Sequence, residues 1–164
     1  MKKIFLWLLI VSMFIAFLLT GCLGIAAVTD IEIDSTNPEG VKFIAPEIGS
    51  YKITIVGGAY CHLPEDEPNW ALYGGWKTLL HLYINTPVER GDPGEWGLRP
   101  INFDNIIGPV EAIPTVSEAE DAGKGSSVTV KLNKGEYIIL LVYDGSDYYF
   151  DNSGTVTIRI TGYC

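Results

Sequence analysis

Several short stretches of the chain alternate between apolar and polar residues with period two, which is typical of half-buried β-strands. Residues 51–57, 126–132 and 155–161 all show this pattern. In residues 126–132 the apolar positions that share one face are Val128, Val130 and Leu132. In residues 155–161 we expect Val156, Ile158 and Ile160 to face the core, while Thr155, Thr157, Arg159 and Thr161 face water. These stretches predict three strands of a sheet with one wet face.

Other segments complete the predicted set of elements. Residues 41–44 and 77–85 favour short strands, and the continuous apolar run 136–143 favours a central strand covered on both faces. The intervening residues 133–135 predict a hairpin loop with a glycine available for positive φ. One short helix is predicted at 117–122, with Ser117 and Glu120 as a capping box and Gly123 as the stop.

Short strands, glycine-rich turns and a single helix predict an all-β fold, an antiparallel β-sandwich of jelly-roll type. We expect the sandwich to occupy residues 41–164, preceded by a tether at residues 22–40, of which residues 31–40 are polar and turn-rich. Residues 86–114 contain five prolines and few strand signals, so they predict a long loop.

The N-terminus predicts export. Lys2 and Lys3 precede an apolar run, residues 4–19, which is followed by Leu19-Thr20-Gly21-Cys22. The quartet resembles the bacterial lipobox, which implies a signal peptide at residues 1–21 and acylation of Cys22. The alternative is a retained membrane-spanning helix, since residues 4–28 carry no charge. Either anchor predicts an extracytoplasmic, membrane-attached domain.

The net charge limits the classes of partner to expect, and the cysteine count predicts a disulfide. The net charge is −9, or −11 without residues 1–21, and no basic patch exists, so nucleic acid is not an expected partner. The 143 residues after the signal suffice for one domain with its own core. If Cys22 is acylated, two cysteines remain in an exported chain, and their even number predicts a Cys61–Cys164 disulfide.

The segment 143–154 concentrates hard oxygen ligands. It carries Asp144, Asp147, Asp151 and Asn152 between the last two predicted strands. Calcium takes six to eight such oxygens, so this spacing predicts a calcium site. The alternative is an ordinary solvated turn, because Asp, Asn, Ser and Gly are also the residues that turns prefer.

Residues 136–160 resemble the C-terminal part of the bacterial PA-I-type galactophilic lectins, which are calcium-dependent β-sandwiches. The resemblance implies that Asp144 is a metal ligand, that Tyr148 offers a backbone carbonyl, and that Asp151 and Asn152 replace the family's paired asparagines. Residues 70–74, Trp-Ala-Leu-Tyr-Gly, resemble a family turn in which the carbonyl of Tyr73 completes the shell. A sugar would then lie against Asp144, Gly145 and Asp151. The family's His-Pro-x-x-Gln sugar contact has no counterpart in this chain, and His81 is expected to be a packed or surface residue of a strand rather than a sugar ligand.

Aromatic residues in glycine-rich loops are the other candidates for sugar contact. Trp70 and Trp76 could stack on a sugar ring, or they could cap the ends of the core, where large aromatic side chains bury most area.

These observations predict a surface-tethered, calcium-binding module that binds carbohydrate. The alternative is a non-catalytic structural or interaction subunit of a cell-envelope assembly, with envelope protein partners, in which calcium and the disulfide only stabilise the fold. An enzyme is not expected, because the two histidines belong to no nucleophile or metal motif.

Overall fold

The computed structural model describes residues 25–62, 75–85, 105–142 and 150–163. Within them the chain forms eight strands and one helix, which we number in chain order. The elements are β1 (Ile25–Asp34), β2 (Val41–Ile44), β3 (Gly49–Cys61), β4 (Leu80–Ile84), β5 (Asn105–Ile107), α1 (Val116–Gly123), β6 (Ser127–Leu132), β7 (Tyr137–Leu141) and β8 (Ser153–Tyr163).

The strands form two four-stranded sheets, one in the order β1-β8-β3-β6 and the other in the order β2-β7-β4-β5. All neighbouring strands are antiparallel. The chain passes from one sheet to the other at each of the first three connections, which is the strand order of a jelly roll. The predicted all-β sandwich is therefore confirmed.

The period-two alternation fixes which faces meet. Along β8, Val156, Ile158 and Ile160 are fully buried, while Arg159 on the same strand is exposed. These residues pack in one core cluster with apolar residues of the second sheet, among them Leu82 and Leu140. Because buried residues of both sheets belong to this one cluster, the core lies between the two sheets.

The strand register defines two ends of the sandwich. At one end, which we call the terminal end, Ile25 and Ser50 both pair with Tyr163. At the other, which we call the loop end, Cys61 pairs with Ser153. The ten residue-to-residue steps from Ser153 to Tyr163 separate the two ends by about 33 Å at the usual strand rise.

The first strand differs from the sequence-based prediction. Residues 25–34 of the expected 22–40 tether form β1, which pairs with β8 along its whole length. Ile31 packs against the core and Ile33 is fully buried, while Asp30 forms a two-pronged ion pair with Arg159 at 2.7 Å. The sandwich therefore begins at Ile25 rather than at Val41, and the apolar residues before Val28 belong partly to a strand.

The helix begins one residue earlier than predicted. Thr115 is its N-cap, with Oγ1 accepting from the Glu118 backbone N–H at 3.3 Å and donating to Glu118 Oε2 at 2.8 Å. Thr115 and Glu118 therefore take the capping-box positions expected for Ser117 and Glu120. Gly123 is the last helical residue, packed against Thr78. The short strand β5 lies within the predicted 86–114 loop.

The predicted signal peptide, the acylation of Cys22 and most of the alternative membrane helix lie outside the described residues. Within the described ranges, no helix has the length and apolar character needed to cross a membrane.

Candidate functional site

The turn between β1 and β2 is the first component of the loop end. Asp34 Oδ1 accepts from both the backbone N–H and the hydroxyl of Thr36 at 2.8 Å, which shapes the turn. Ser35 is fully buried between them. Its N–H and its hydroxyl both donate to the carbonyl oxygen of Gly154, at 3.2 and 2.8 Å. The β1–β2 turn is therefore held against the start of β8.

Asn152 completes this connection from the other side. Its side chain is buried, and Nδ2 donates to the carbonyl oxygen of Ser35 at 2.9 Å. Its Oδ1 lies 3.3 Å from His62 Nδ1. We call Ser35, His62, Asn152 and Gly154 the Asn152 network. It joins three segments that are far apart in sequence, so it fixes the backbone at the C-terminal end of segment 143–154.

Gly154 has to be glycine for two reasons. Its φ is +97°, in the left-handed region that side chains rarely adopt. A Cβ at this position would also clash with the backbone carbonyl oxygen of Ala59 on β3. The glycine at this position of β8 therefore has a structural reason in this chain.

Only one of the two cysteines of the predicted disulfide is described. Cys61 is a buried thiol at the loop end, with Sγ 3.1 Å from Ser153 Oγ. Cys164 lies outside the described residues, so the Cys61–Cys164 disulfide stays a prediction.

Two histidines lie near each other at the loop end. The ring of His62 meets that of Tyr60 edge-on, with centroids 5.2 Å apart. His81, on β4, is 8% exposed, and its burial lowers its pKa from 6.5 to about 4, helped by the positive charges of His62 and Lys77. His81 is therefore neutral at physiological pH, a packed strand residue as expected.

Two of the five predicted metal ligands, Asp151 and Asn152, are described. Asp151 is half-buried at the loop end, and its carboxylate chemistry suits calcium. Asn152 fits an ion less well, because both ends of its amide already meet protein groups, Ser35 and His62. Within the described residues no group of three or more His, Cys, Asp or Glu could hold a metal. The predicted ligands Tyr73, Asp144 and Tyr148 lie outside them, as do the predicted sugar contacts Gly145 and Trp70.

Trp76 also lies near the loop end, next to Lys77, which pairs with Tyr60 of β3. Its backbone exchanges two hydrogen bonds with Ile113, at 2.7 and 2.8 Å, in an isolated β-bridge. Its side chain is half-exposed, so it is neither a fully buried core cap nor a freely exposed platform. Phe150 is more accessible, since 82% of its surface is exposed directly before Asp151.

Sequence reasoning missed three residues of this site. Ser35 lies in the predicted tether, and the sequence pattern assigns neither His62 nor Phe150 to a binding site. The polar run 34–37 is a turn signal that could have indicated Ser35. The contact between Asn152 and Ser35 spans 117 positions, and no local pattern predicts it.

No protein-family model matches the chain, and no curated protein matches its sequence. Two solved lectin structures are similar in shape. One is the N-terminal domain of EclA, a PllA-like lectin, with a TM-score of 0.37, 16% identity and coverage of 81% of this chain and 94% of that one. The other is AJLec from the sea anemone Anthopleura japonica, with a TM-score of 0.41, 12% identity and coverage of 87% and 98%. Both TM-scores lie below 0.5, so neither likeness establishes a shared function.

Proposed function

We propose that this chain is an extracytoplasmic, membrane-anchored, lectin-like module that binds carbohydrate at its loop end. The observation that carries the proposal is the exposure of Phe150, 82%, immediately before the half-buried carboxylate Asp151 and the buried Asn152. Sugar rings present apolar C–H faces together with hydroxyl groups. An aromatic ring beside a carboxylate offers a stacking surface and a hydrogen-bond acceptor for these two parts.

The surroundings of this pair favour binding. The Asn152 network ties the backbone next to Asp151 to the β1–β2 turn and to β3, so the chain there is ordered before a ligand arrives. A pre-ordered site loses less conformational entropy on binding than a mobile one. This compensates in part for the small contact area that a single sugar ring provides.

Calcium is the finer part of the proposal. Asp144, Asp151 and the backbone carbonyls of Tyr73 and Tyr148 would hold the ion, which would supply positive charge to sugar hydroxyls or brace the loop. Asn152 would support this site by positioning Asp151. Its own amide would stay on Ser35 and His62.

A glycan array probed with the full chain in detergent tests this function, once with calcium and once with a chelator. We expect binding to a restricted set of glycans, reduced by Phe150→Ala. Ile44→Ala is the matched control, because Ile44 is also an exposed apolar residue, 56% exposed, but lies at the terminal end. Binding that disappears with chelator and with Asp144→Ala would support the calcium site, whereas binding that persists would remove calcium from the mechanism.

An array that stays empty in both conditions would contradict carbohydrate binding. It would favour the alternative, a non-catalytic structural or interaction subunit of an envelope assembly. The anchor is tested separately by the intact mass of the native protein. A mass that includes residues 1–21 and no lipid would contradict acylation of Cys22 and favour the retained helix.

A further inference from the structure

The terminal end of the sandwich exposes an apolar surface. Three large apolar side chains lie there: Ile44, Ile48 and Tyr163, exposed by 56%, 65% and 46%. Ile48 and Tyr163 line one shallow cavity of about 370 Å³ with Ser50, Lys131 and Asn133. Ile44 adjoins them through the turn at residues 133–136, because the next residue, Ala45, exchanges backbone hydrogen bonds with Gly135 and Glu136. We call Ile44, Ile48 and Tyr163 the terminal patch.

The chain enters the sandwich beside this patch. Ile25 opens β1 and pairs with Tyr163, which also pairs with Ser50 on β3. Cys22 precedes Ile25 by three residues, which span at most about 10 Å when fully extended. A lipid on Cys22 would therefore leave no tether long enough to lift the terminal end away from the membrane surface.

Charge does not oppose such an approach. The charged side chains around the terminal patch are two lysines, Lys131 and Lys134, and two glutamates, Glu47 and Glu136. The described residues counted here are 25–28, 44–50, 131–137 and 161–163. Their charges sum to zero, although the whole chain carries −9. Lys134 Nζ also forms an ion pair with Glu47 Oε1 at 2.9 Å. The acidic excess of the chain therefore lies elsewhere, and this end can approach an anionic headgroup region without net repulsion.

We propose that the terminal patch rests on the lipid surface, with Ile48 and Tyr163 in the headgroup region, so that the sandwich stands upright and presents its loop end to the outside. The occupant of the patch is the bilayer that holds the acylated Cys22. A tyrosine suits this boundary, since its ring is apolar and its hydroxyl remains in contact with water. The orientation sets Phe150 and Asp151 about 30 Å above the membrane at the usual strand rise.

The patch supplements the lipid rather than replacing it. A diacylglyceryl group on Cys22 would carry two acyl chains, which suffice for stable attachment, so the patch would orient the sandwich rather than hold it at the membrane. The proposal rests on the membrane anchoring stated above and does not depend on carbohydrate binding. A chain that binds no glycan would still stand in this orientation.

Site-specific fluorescence on the full acylated chain tests the orientation. In a Cys61→Ser, Cys164→Ser background, single cysteines are introduced by Ile48→Cys, Tyr163→Cys or Phe150→Cys and labelled with nitrobenzoxadiazole. The protein is then inserted into phosphatidylcholine vesicles with or without a nitroxide-labelled lipid. We expect a blue shift and nitroxide quenching at positions 48 and 163, and neither at position 150. Circular dichroism checks that each variant retains its sheet structure.

A second variant distinguishes insertion of the terminal patch into the headgroup region from mere closeness of the patch to the membrane. With the probe at position 163, Ile48→Glu should reduce the blue shift, because a charge in the headgroup region opposes insertion, whereas Phe150→Glu at the other end should not change it. Equal probe responses at positions 48 and 150, in protein that is acylated by mass and floats with the vesicles, would overturn the proposed orientation. Protein that lacks the lipid and does not float would contradict the membrane anchor on which the proposed orientation rests. It would say nothing about carbohydrate binding, which the glycan array tests.

Discussion

Replacing Asn152 by alanine tests whether this residue supports the fold or binds an ion. The side chain is 5% exposed, and Nδ2 donates to the carbonyl oxygen of the fully buried Ser35 at 2.9 Å. The substitution deprives a buried carbonyl of this donor, which typically costs about 1–3 kcal/mol. It also leaves a small void and removes the Oδ1 contact with His62.

We therefore expect Asn152→Ala to lower the free energy of unfolding by about 2–3 kcal/mol, which is roughly 5–10 °C in Tm for a domain of this size. The measurement is thermal denaturation followed by circular dichroism in the presence of a chelator. Asn37→Ala is the matched control, because Asn37 Nδ2 also donates to a backbone carbonyl, that of Gly40 at 3.0 Å, but is only half-buried. Its loss should be about 1 kcal/mol or less.

Asn152→Asp sharpens the test. The carboxylate has the same shape but turns the donor that faces Ser35 into an acceptor, so the fold should lose at least as much stability as with alanine at neutral pH. An ion ligand would behave in the opposite way, since the added charge would strengthen calcium binding. If both variants have the parental Tm in chelator and differ only when calcium is added, the structural role assigned to Asn152 is refuted.

Two further predictions concern pH and backbone geometry. Burial lowers the pKa of His81 to about 4, whereas a histidine in the unfolded chain titrates near 6.5. We therefore expect the free energy of unfolding to keep its full value above pH 6.5 and to fall by up to about 3 kcal/mol as the pH drops to 4. His81→Phe should flatten urea-unfolding stability across that window, and an unchanged slope would contradict the assignment. Gly154→Ala should cost about 3 kcal/mol or more in the same assay, because it adds a clash with Ala59 to an unfavourable φ. Gly125→Ala, with φ +89° and no atom within 4 Å of the new Cβ, should cost only about 1–2 kcal/mol, so equal losses would argue against the clash.

Local pattern predicted the strands whose two faces differ in environment. β6 and β8 alternate in sequence, and their burial alternates in the structure, because one face lies on the core and the other in water. β1 shows the same alternation at Ile31 and Ile33, but its Asp and Glu residues are typical of a polar tether. It is a strand because β8 provides a partner and Arg159 neutralises Asp30.

The candidate site was only partly predictable. The sequence indicated Asp151 and Asn152 through their type and spacing, because turns and ions use the same oxygen-bearing residues. It did not indicate that Asn152 is committed to Ser35 and His62, since those contacts span 117 and 90 positions. The sequence likewise did not predict that Phe150 is exposed, because its aromatic neighbours show no alternation between apolar and polar residues.

The sequence by itself determined the all-β class, the inward faces of the strands and the turn at residues 133–135, because these depend on side-chain periodicity and on backbone preferences of neighbouring residues. The prediction that this turn closes a hairpin was wrong, since β6 and β7 lie in different sheets. Only the tertiary structure decided which residues share an end of the sandwich. Strand register brings Ile25 beside Tyr163 and Cys61 beside Ser153. That register unites the Asn152 network and places the start of β1 at the end of the sandwich opposite Asp151. Such placements arise from pairing between distant segments, which no local stretch of sequence encodes.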